Sequence, residues 1–580
     1  MKKLTSDSNP IRVDFLPSTV VMLPGRIGMT IAPGKKIRGI YGDWDRDLEK
    51  DLRRIRCVHG VSVLVCLVPP EELALLGISE LPGMAQGLEF EVVQFPIQDV
   101  SVPDSIDRLR DLVVHILGAA AVGKTVVIHC RGGLGRSGLV AACCLVARGM
   151  DDRTAMDQVR ATREGTIETP AQEQLVREFR RKSVEDPGWL RDRIGQARVD
   201  DDSRPPFSRF LGCLLGGAVG DALGYPVEFV GSAASIIDRF GANPPARLDF
   251  ARPGEALISD DTQMTLFVAE GVIRAIQRIN DRGLASVPGV IGRALLRWYE
   301  TQTFTRERSA SIEANGWLRT DARLYARRAP GNTCLSSLEL LSGREPPSPP
   351  LNNSKGCGAV MRSAPIGLAA CERAGAFEVA CESGAQTHGH PLGYLPAGYL
   401  ASVVSDVARG MGLAEAMNQA DELLRREAAE GGFPGAESRV PGHDEAHRRG
   451  ARDLLECVNR ARVAARSVRV PTSSEVEALG GGWTGEEALA ISLFCALTVR
   501  EGNPDAVARA LWASVAHGGD SDSTGAITGN ILGAAYGVEA LPRAWVERVE
   551  LRDTIERIAG DLYAVALGHI ELDHQAYPPY

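Results

Sequence analysis

The chain has 580 residues, of which 44% are hydrophobic and 24% are charged, a balance typical of soluble globular proteins. This length exceeds what one hydrophobic core supports, so we expect two or more domains. The formal net charge of −9 provides no basic surface and argues against nucleic acid as a partner. No apolar run reaches the roughly 18 residues of a membrane span, and none follows the first lysines as in a signal peptide.

The twelve cysteines show neither the paired spacing of a disulfide framework nor that of a zinc site. We therefore expect most of them to be buried thiols in a reducing, cytoplasmic compartment. Cys130 is the exception, because it stands in a motif of its own.

The first third of the chain alternates between two patterns. Short β-branched runs predict strands at 61–67, 90–95 and 125–129. Helical periodicity surrounds them at 45–56, 104–120, 137–149, 151–162 and 170–182. The alternation predicts a parallel or mixed sheet with helices on both faces, and ligands of such folds bind at the carboxyl ends of the strands.

The run HCRGGLGRSG follows the last of these strands and begins at His129. Its glycines let backbone N–H groups converge on an anion, and the next helix adds its positive end. Cys130, at the base of that loop, is favoured as a thiolate nucleophile, and Arg136 can grip phosphoryl oxygens through two donors. The predicted phosphate-binding residues between them are Arg131, Gly132, Gly133, Leu134 and Gly135.

This run resembles the phosphate loop of protein tyrosine and dual-specificity phosphatases, and in particular that of the cyclin-dependent-kinase-associated phosphatases. The resemblance covers about residues 10–182 and implies an α/β cysteine-phosphatase fold that needs no cofactor. It implies that Ser137 helps the thiolate leave the phosphocysteine and that His129 orders the loop. The segment FPIQD matches the position of the family's general acid, which would be Asp99, with Asp104 as the second choice. Gln172 matches a position near the catalytic water.

Residues 184–206 mix charges, prolines and turn formers, and we place a linker there, between domains at 1–183 and 207–580. Beyond it, strand patterns nearly vanish. Helical periodicity predicts an all-α domain with helices at 208–222, 262–279, 287–300, 393–409, 412–427, 443–466, 485–500, 503–515, 524–537 and 550–567.

Two acidic clusters lie near the ends of this helical region. The first is SDDT, which begins at Ser259, and the second is GGDSDS, which ends at Ser523. Carboxylate and hydroxyl oxygens suit Mg²⁺ or Mn²⁺ better than zinc. We therefore expect the two clusters to converge on a pair of ions.

Six stretches, in order, resemble the ADP-ribosylglycohydrolase family over about residues 207–570. They are GGAVGDALG (216–224) with Glu228, SDDT (259–262), GCGAVMR (356–362), THGHP (387–391), EEALA (486–490) and GGDSDS (518–523). The resemblance implies an all-helical fold that holds two Mg²⁺ or Mn²⁺ ions. Its implied metal ligands are Ser259, Asp260, Asp261, Asp520, Asp522 and Ser523.

The same resemblance implies roles for the remaining residues. Glu228 would act as acid/base residue or gate the metals, Gly356–Gly358 would wrap a diphosphate, and His388 would lie near bound ADP-ribose. Two positions depart from the family, which often has Asn or Ser at Cys357 and Thr at Ser523. Asp221 stands between a glycine and a helical run, which is consistent with a helix cap alone.

The sequence therefore predicts a bifunctional, cytoplasmic hydrolase without nucleic-acid or membrane partners. The first domain would act on a phosphorylated protein or small phosphoester, and the second on an ADP-ribosylated protein or small molecule. Two alternatives stay open: a scaffold that binds phosphorylated or ADP-ribosylated partners without turnover, and a metal hydrolase acting on another nucleotide or glycoside.

Overall fold

The computed structural model describes residues 3–21, 23–39, 42–185, 205–254, 256–303, 316–344, 346, 352–430, 443–567 and 576–578. The chain divides into two compact units, Met1–Asp201 with Asp573–Ala576 and Asp202–Leu572 with Tyr577–Tyr580. The predicted linker 184–206 lies outside the described residues except for its first and last two positions. None of the described helices is both long and apolar enough to cross a bilayer.

The first unit is built on a five-stranded sheet with a three-stranded sheet beside it. In chain order the strands are β1 (Lys3–Leu4), β2 (Asp14–Phe15), β3 (Ile27–Thr30), β4 (Lys36–Gly39), β5 (Gly42–Asp45), β6 (Val61–Cys66), β7 (Glu91–Gln94) and β8 (Thr125–His129). The large sheet has the order β2-β3-β8-β6-β7, in which only β2 is antiparallel. The small sheet has the order β1-β5-β4. Strand β8 is therefore central, and its carboxyl end lies between those of β3 and β6.

Helices cover both faces of the large sheet, as the alternating pattern predicts. On β8, Val126 and Ile128 pack into one hydrophobic cluster and Val127 into the other. The first cluster includes helices Ile106–Ala121, Gly135–Ala147, Asp152–Thr162 and Pro170–Glu185. The second includes helices Leu48–Cys57, Pro70–Leu75 and Leu81–Gly87; a short helix, Ser18–Val21, completes the unit.

The second unit is helical. Its α-helices are Phe207–Gly224, Ala233–Phe240, Asp260–Arg282, Val287–Thr303, Asn332–Leu341, Ala364–Ala369, Arg373–Ala385, Pro391–Ala408, Leu413–Glu430, His443–Ala465, Ser473–Glu477, Gly485–Thr498, Pro504–Val515, Ser521–Tyr536, Arg543–Val546 and Arg552–Ala566. Among its described residues the only β pairing is an isolated bridge between Gly356 and Thr484. Both fold classes predicted from the sequence are confirmed.

Two helices of the second unit, Phe207–Gly224 and Ser521–Tyr536, touch backbone to backbone. Glycines recur every four residues on both, so one glycine face meets the other. A Cβ built on Gly220 would lie 1.9 Å from the carbonyl oxygen of Gly525, and one on Gly529 would lie 1.9 Å from that of Gly216. Only glycine allows this approach, which brings Asp221 on one helix toward the acidic amino end of the other.

Candidate active sites

The phosphate loop of the first unit begins where β8 ends and runs into helix Gly135–Ala147. Gly133 has φ of +68°, and a Cβ there would lie 2.3 Å from the carbonyl oxygen of Thr30, so the turn requires glycine. This conformation directs the N–H of Gly133 to Cys130 Sγ at 3.2 Å. The sulfur is therefore enclosed by the loop, as the sequence predicts for an anion-binding turn.

The Arg136 guanidinium, almost fully buried, is held by two carboxylates. Glu72 accepts from Nη1 at 2.6 Å and from Nη2 at 3.0 Å, and Asp99 accepts from Nη2 at 2.8 Å. Burial acts to lower the pKa of Arg136, but the bond to Glu72 keeps it above its usual value. The other oxygen of Asp99 accepts from Arg131 Nη1 at 3.2 Å, whereas Asp104 is exposed. Of the two acid candidates, Asp99 is the one in contact with the loop arginines.

Three residues around the loop, His129, Ser137 and Gln172, are fully buried. Burial lowers the pKa of His129 to about 4, so this ring is neutral at neutral pH. Ser137 Oγ is buried and has no hydrogen-bond partner among the described residues. Gln172 accepts from the N–H of Glu168 at 2.9 Å, and Glu168 in turn accepts from the N–H of Gly135 at 2.8 Å. Gln172 thus supports the carboxylate that holds one loop amide.

The acidic clusters of the second unit stand at two helix amino termini. Ser259 caps helix Asp260–Arg282, and Asp520 caps helix Ser521–Tyr536. Asp221 accepts from the N–H of Ser259 at 2.8 Å and from the N–H of Thr262 at 3.0 Å. Asp221 lies inside helix Phe207–Gly224, so it does not cap the run that follows it, contrary to the expectation from the sequence. Instead it accepts from N–H groups at the start of helix Asp260–Arg282 and fixes the first acidic cluster against the glycine-rich helix.

These clusters line one cavity with a volume of about 210 Å³. Every predicted metal and ADP-ribose residue except Ser259 lines it: Glu228, Asp260, Asp261, Gly356, Cys357, Gly358, His388, Asp520, Asp522 and Ser523. Ser259 is fully buried. Carboxylate oxygens of Glu228, Asp520 and Asp522 all lie within 4.8 Å of one another. The convergence of clusters that are some 260 residues apart in sequence is thus present in the structure.

The electrostatics of the cavity fit a cation. Burial, and then the charges of Asp520 and Asp260, raise the pKa of Glu228 to about 8. Burial also raises the pKa of Asp261 and Asp522 well above the usual range. Oδ1 of Asp261 and Oε2 of Glu228 are buried and have no hydrogen-bond partner among the described residues. Several buried carboxylates with unsatisfied oxygens form a donor set that suits hard divalent cations.

The segment predicted to wrap a diphosphate is partly engaged with the protein itself. The N–H of Gly356 donates to Ser354 Oγ at 3.3 Å, and that of Cys357 donates to the Trp483 carbonyl at 3.3 Å. These two N–H groups would have to leave their partners to reach a diphosphate. His388 is buried at the cavity wall, and burial lowers its pKa to about 3, so it is neutral.

Several lining residues carry no motif that the sequence reveals. In the second unit they are Ala329, Gly331, Asn332, Thr333, Cys334 and Trp483. In the first unit, Glu72 lies 64 residues before its partner Arg136. Because each of these contacts is made by tertiary folding across distant segments, only co-variation among relatives could have indicated them.

Comparison with known proteins matches a family model to each of the two domains. Residues 202–570 match the family model described as ADP-ribosylglycohydrolase. The chain therefore belongs to the ADP-ribosylglycohydrolase family. Residues 45–187 match the model described as "Swiss Army Knife protein, DSP-PTPase phosphatase domain". The protein is a hydrolase that joins a dual-specificity phosphatase domain to an ADP-ribosylglycohydrolase domain.

Individual relatives match one of the two domains each. Cyclin-dependent kinase inhibitor 3 of Rattus norvegicus is 28% identical over 179 residues, which cover 30% of this chain and 82% of the relative. ADP-ribosylhydrolase ARH3 of Danio rerio is 26% identical over 378 residues, which cover 62% of this chain and 91% of the relative. Among solved structures, kinase associated phosphatase is 27% identical and covers 30% of this chain and 97% of its own, with a TM-score of 0.28.

Proposed function

We propose that the protein removes phosphoryl groups through a phosphocysteine and, at its second site, removes ADP-ribose from a protein side chain or small acceptor in a metal-dependent reaction. The convergence of both acidic clusters on one buried cavity is the observation that carries the second activity. The enclosure of Cys130 Sγ beside Arg136 and Asp99 supports the first.

In the phosphatase reaction, Cys130 Sγ attacks phosphorus while the ester P–O bond breaks. Asp99 gives a proton to the departing oxygen, and Arg136 and the loop N–H groups hold the equatorial oxygens. Water then attacks phosphorus, the S–P bond breaks with help from the Ser137 hydroxyl, and inorganic phosphate leaves. Asp99 has to release Arg136 when a phosphoryl group binds, because the Asp99 carboxylate and the phosphoryl oxygens accept from the same guanidinium.

In the second reaction, two Mg²⁺ or Mn²⁺ ions would be held by Ser259, Asp260, Asp261, Asp520, Asp522 and Ser523. Bound divalent ions supply Lewis acidity toward ribose hydroxyls or a water. Water adds to C1″ of the ribose as the bond to the acceptor breaks, and Glu228, which lines the same cavity, would act as the acid/base residue or gate the metals. His388 and the 356–358 segment bind the remainder of the ADP-ribose.

The substrates that follow from these reactions are a phosphorylated protein or small phosphoester and an ADP-ribosylated protein or small molecule. The matches to a phosphatase-domain model and to an ADP-ribosylglycohydrolase model support this pair of classes. We place the protein in the cytoplasm, where its free thiols are stable.

The second activity is tested by release of free ADP-ribose from mono-ADP-ribosylated protein, with Mg²⁺ or Mn²⁺ and with chelator. Release should require the cation and should be lost in Asp520→Ala. Asp505→Ala, at the first turn of helix Pro504–Val515 and outside the cavity, is the matched control and should retain release. No release from arginine- or serine-linked substrates by a folded, metal-binding protein would favour another glycoside substrate or a binding scaffold.

The first activity is tested with an aryl phosphate. Cys130→Ser should abolish turnover, and Cys57→Ser, at the end of helix Leu48–Cys57, should retain it. Mass spectrometry of acid-quenched Asp99→Ala should detect phosphate on Cys130, because an aryl oxygen can leave without a proton donor whereas the attacking water still needs a base. Turnover that persists in Cys130→Ser would refute the phosphocysteine route.

A further inference from the structure

The thiol of Cys357 lies among the proposed metal ligands. Its Sγ is 2.8 Å from Asp520 Oδ2 and 3.5 Å from Ser523 Oγ. The backbone of Cys357 is fixed by its N–H bond to the Trp483 carbonyl at 3.3 Å. The sulfur therefore belongs to the lining of the cavity, together with the oxygens that face it.

These separations match those of atoms that share one metal ion. A metal–sulfur bond of about 2.3 Å and a metal–oxygen bond of about 2.1 Å, set at right angles, place sulfur and oxygen about 3.1 Å apart. The two observed distances lie on either side of that value. The sulfur can therefore join Asp520 and Ser523 around a cation without a rearrangement of the chain.

A second observation concerns two carboxylate oxygens of the cavity. Oδ1 of Asp261 and Oε2 of Glu228 line the same cavity, are buried, and have no hydrogen-bond partner among the described residues. Such oxygens indicate a ligand that the protein itself does not supply. A cation seated against them lies in the cavity that Cys357 also lines.

We propose that Cys357 Sγ is a donor to a divalent cation in this cavity and that the site therefore takes a softer ion, of the Co²⁺ or Zn²⁺ type, in preference to Mg²⁺. Thiolate sulfur favours softer ions, whereas an all-oxygen set suits Mg²⁺. On ligation the S–H bond is exchanged for a sulfur–metal bond and the proton passes to solvent, with no change of oxidation state. The inference deepens the proposed metal-dependent function and rests on it.

The test is Co²⁺ binding to the full chain, followed by absorption. A thiolate ligand gives a sulfur-to-cobalt charge-transfer band in the near ultraviolet, which oxygen ligands do not give. We expect the band in the wild-type protein and its loss in Cys357→Ser. Cys334→Ser is the matched control and should retain the band, because Cys334 lines the same cavity but its Sγ contacts the Gly358 carbonyl and Arg362.

Titration calorimetry separates ligation from a hydrogen bond to Asp520. Cys357→Ser should weaken Co²⁺ and Zn²⁺ binding on the order of tenfold and leave Mg²⁺ binding nearly unchanged. No band that depends on Cys357, or equal losses for Mg²⁺ and Co²⁺, would overturn the proposal. Neither readout requires turnover, so failure of the thiol ligand is distinguishable from failure of ADP-ribose release.

Discussion

The substitution Gly220→Ala should separate the two helices whose ends carry the second site. A Cβ at this position would lie 1.9 Å from the Gly525 carbonyl oxygen, against about 3.5 Å for an unstrained contact, so the helices would have to part by about 1.5 Å. Overpacking a core costs roughly 1 to 3 kcal/mol. Because backbone atoms must move here, we expect the free energy of unfolding to fall by about 3 kcal/mol. This cost exceeds the gain of about 1 kcal/mol from the higher helix propensity of alanine.

Urea unfolding followed by tryptophan fluorescence measures this loss, because five of the seven tryptophans belong to the second unit. The matched control is Gly375→Ala in helix Arg373–Ala385, where the nearest atom to an added Cβ is Glu372 Cγ at 3.9 Å. Gly375→Ala should be neutral or stabilising. Gly220→Ala should also weaken Mn²⁺ binding, because Asp221 moves with the helix. A Gly220→Ala protein as stable as the control would refute the backbone contact.

Three further predictions follow from the two sites. In the presence of a chelator, the free energy of unfolding of the metal-free protein should fall as pH rises from about 5 to 8. The raised pKa of Glu228 makes the folded protein bind a proton that the unfolded chain releases, which changes the free energy of unfolding on the order of 4 kcal/mol over this range. The substitution Glu228→Gln should remove this pH dependence, as measured by thermal melting. A free energy of unfolding that rises with pH would contradict this. Glu72→Gln should lower kcat/KM for an aryl phosphate on the order of tenfold, because Arg136 loses the carboxylate that orients it; unchanged kinetics would count against that role. Asp221→Ala should cost about 2 kcal/mol and weaken cation binding, since the N–H of Ser259 loses its buried acceptor; a calorimetric affinity equal to wild type would show that the cap does not position the cluster.

Hydrophobic periodicity predicts the long helices and strands, because each of these elements buries one face. The predicted strand 125–129 and helix 151–162 have the same bounds, to within one residue, as Thr125–His129 and Asp152–Thr162. Helix Arg373–Ala385 carries no such signal. Its small residues pack closely against Pro391–Ala408, so its buried positions include Ser383 and Gly384 and do not form an apolar stripe.

Helix starts were less predictable than helix interiors. Asp260 and Asp522 are buried polar residues in the first turns of their helices, and an apolar pattern places both helix starts two or three residues too late. These two acidic residues line the cavity, and helix propensity does not account for a buried carboxylate that faces a cavity.

By itself, the sequence determined what is local: the glycine turn after β8, the hydroxyl and carboxylate caps, and the period of each long helix. These depend on backbone conformation and on neighbours within one or two turns. Only the tertiary structure decided that Glu72 holds Arg136, that Asp221 caps a helix 38 residues further on, and that Cys357 stands beside Asp520. Those contacts join segments that meet only when cores pack and glycine faces close, so no local pattern encodes them.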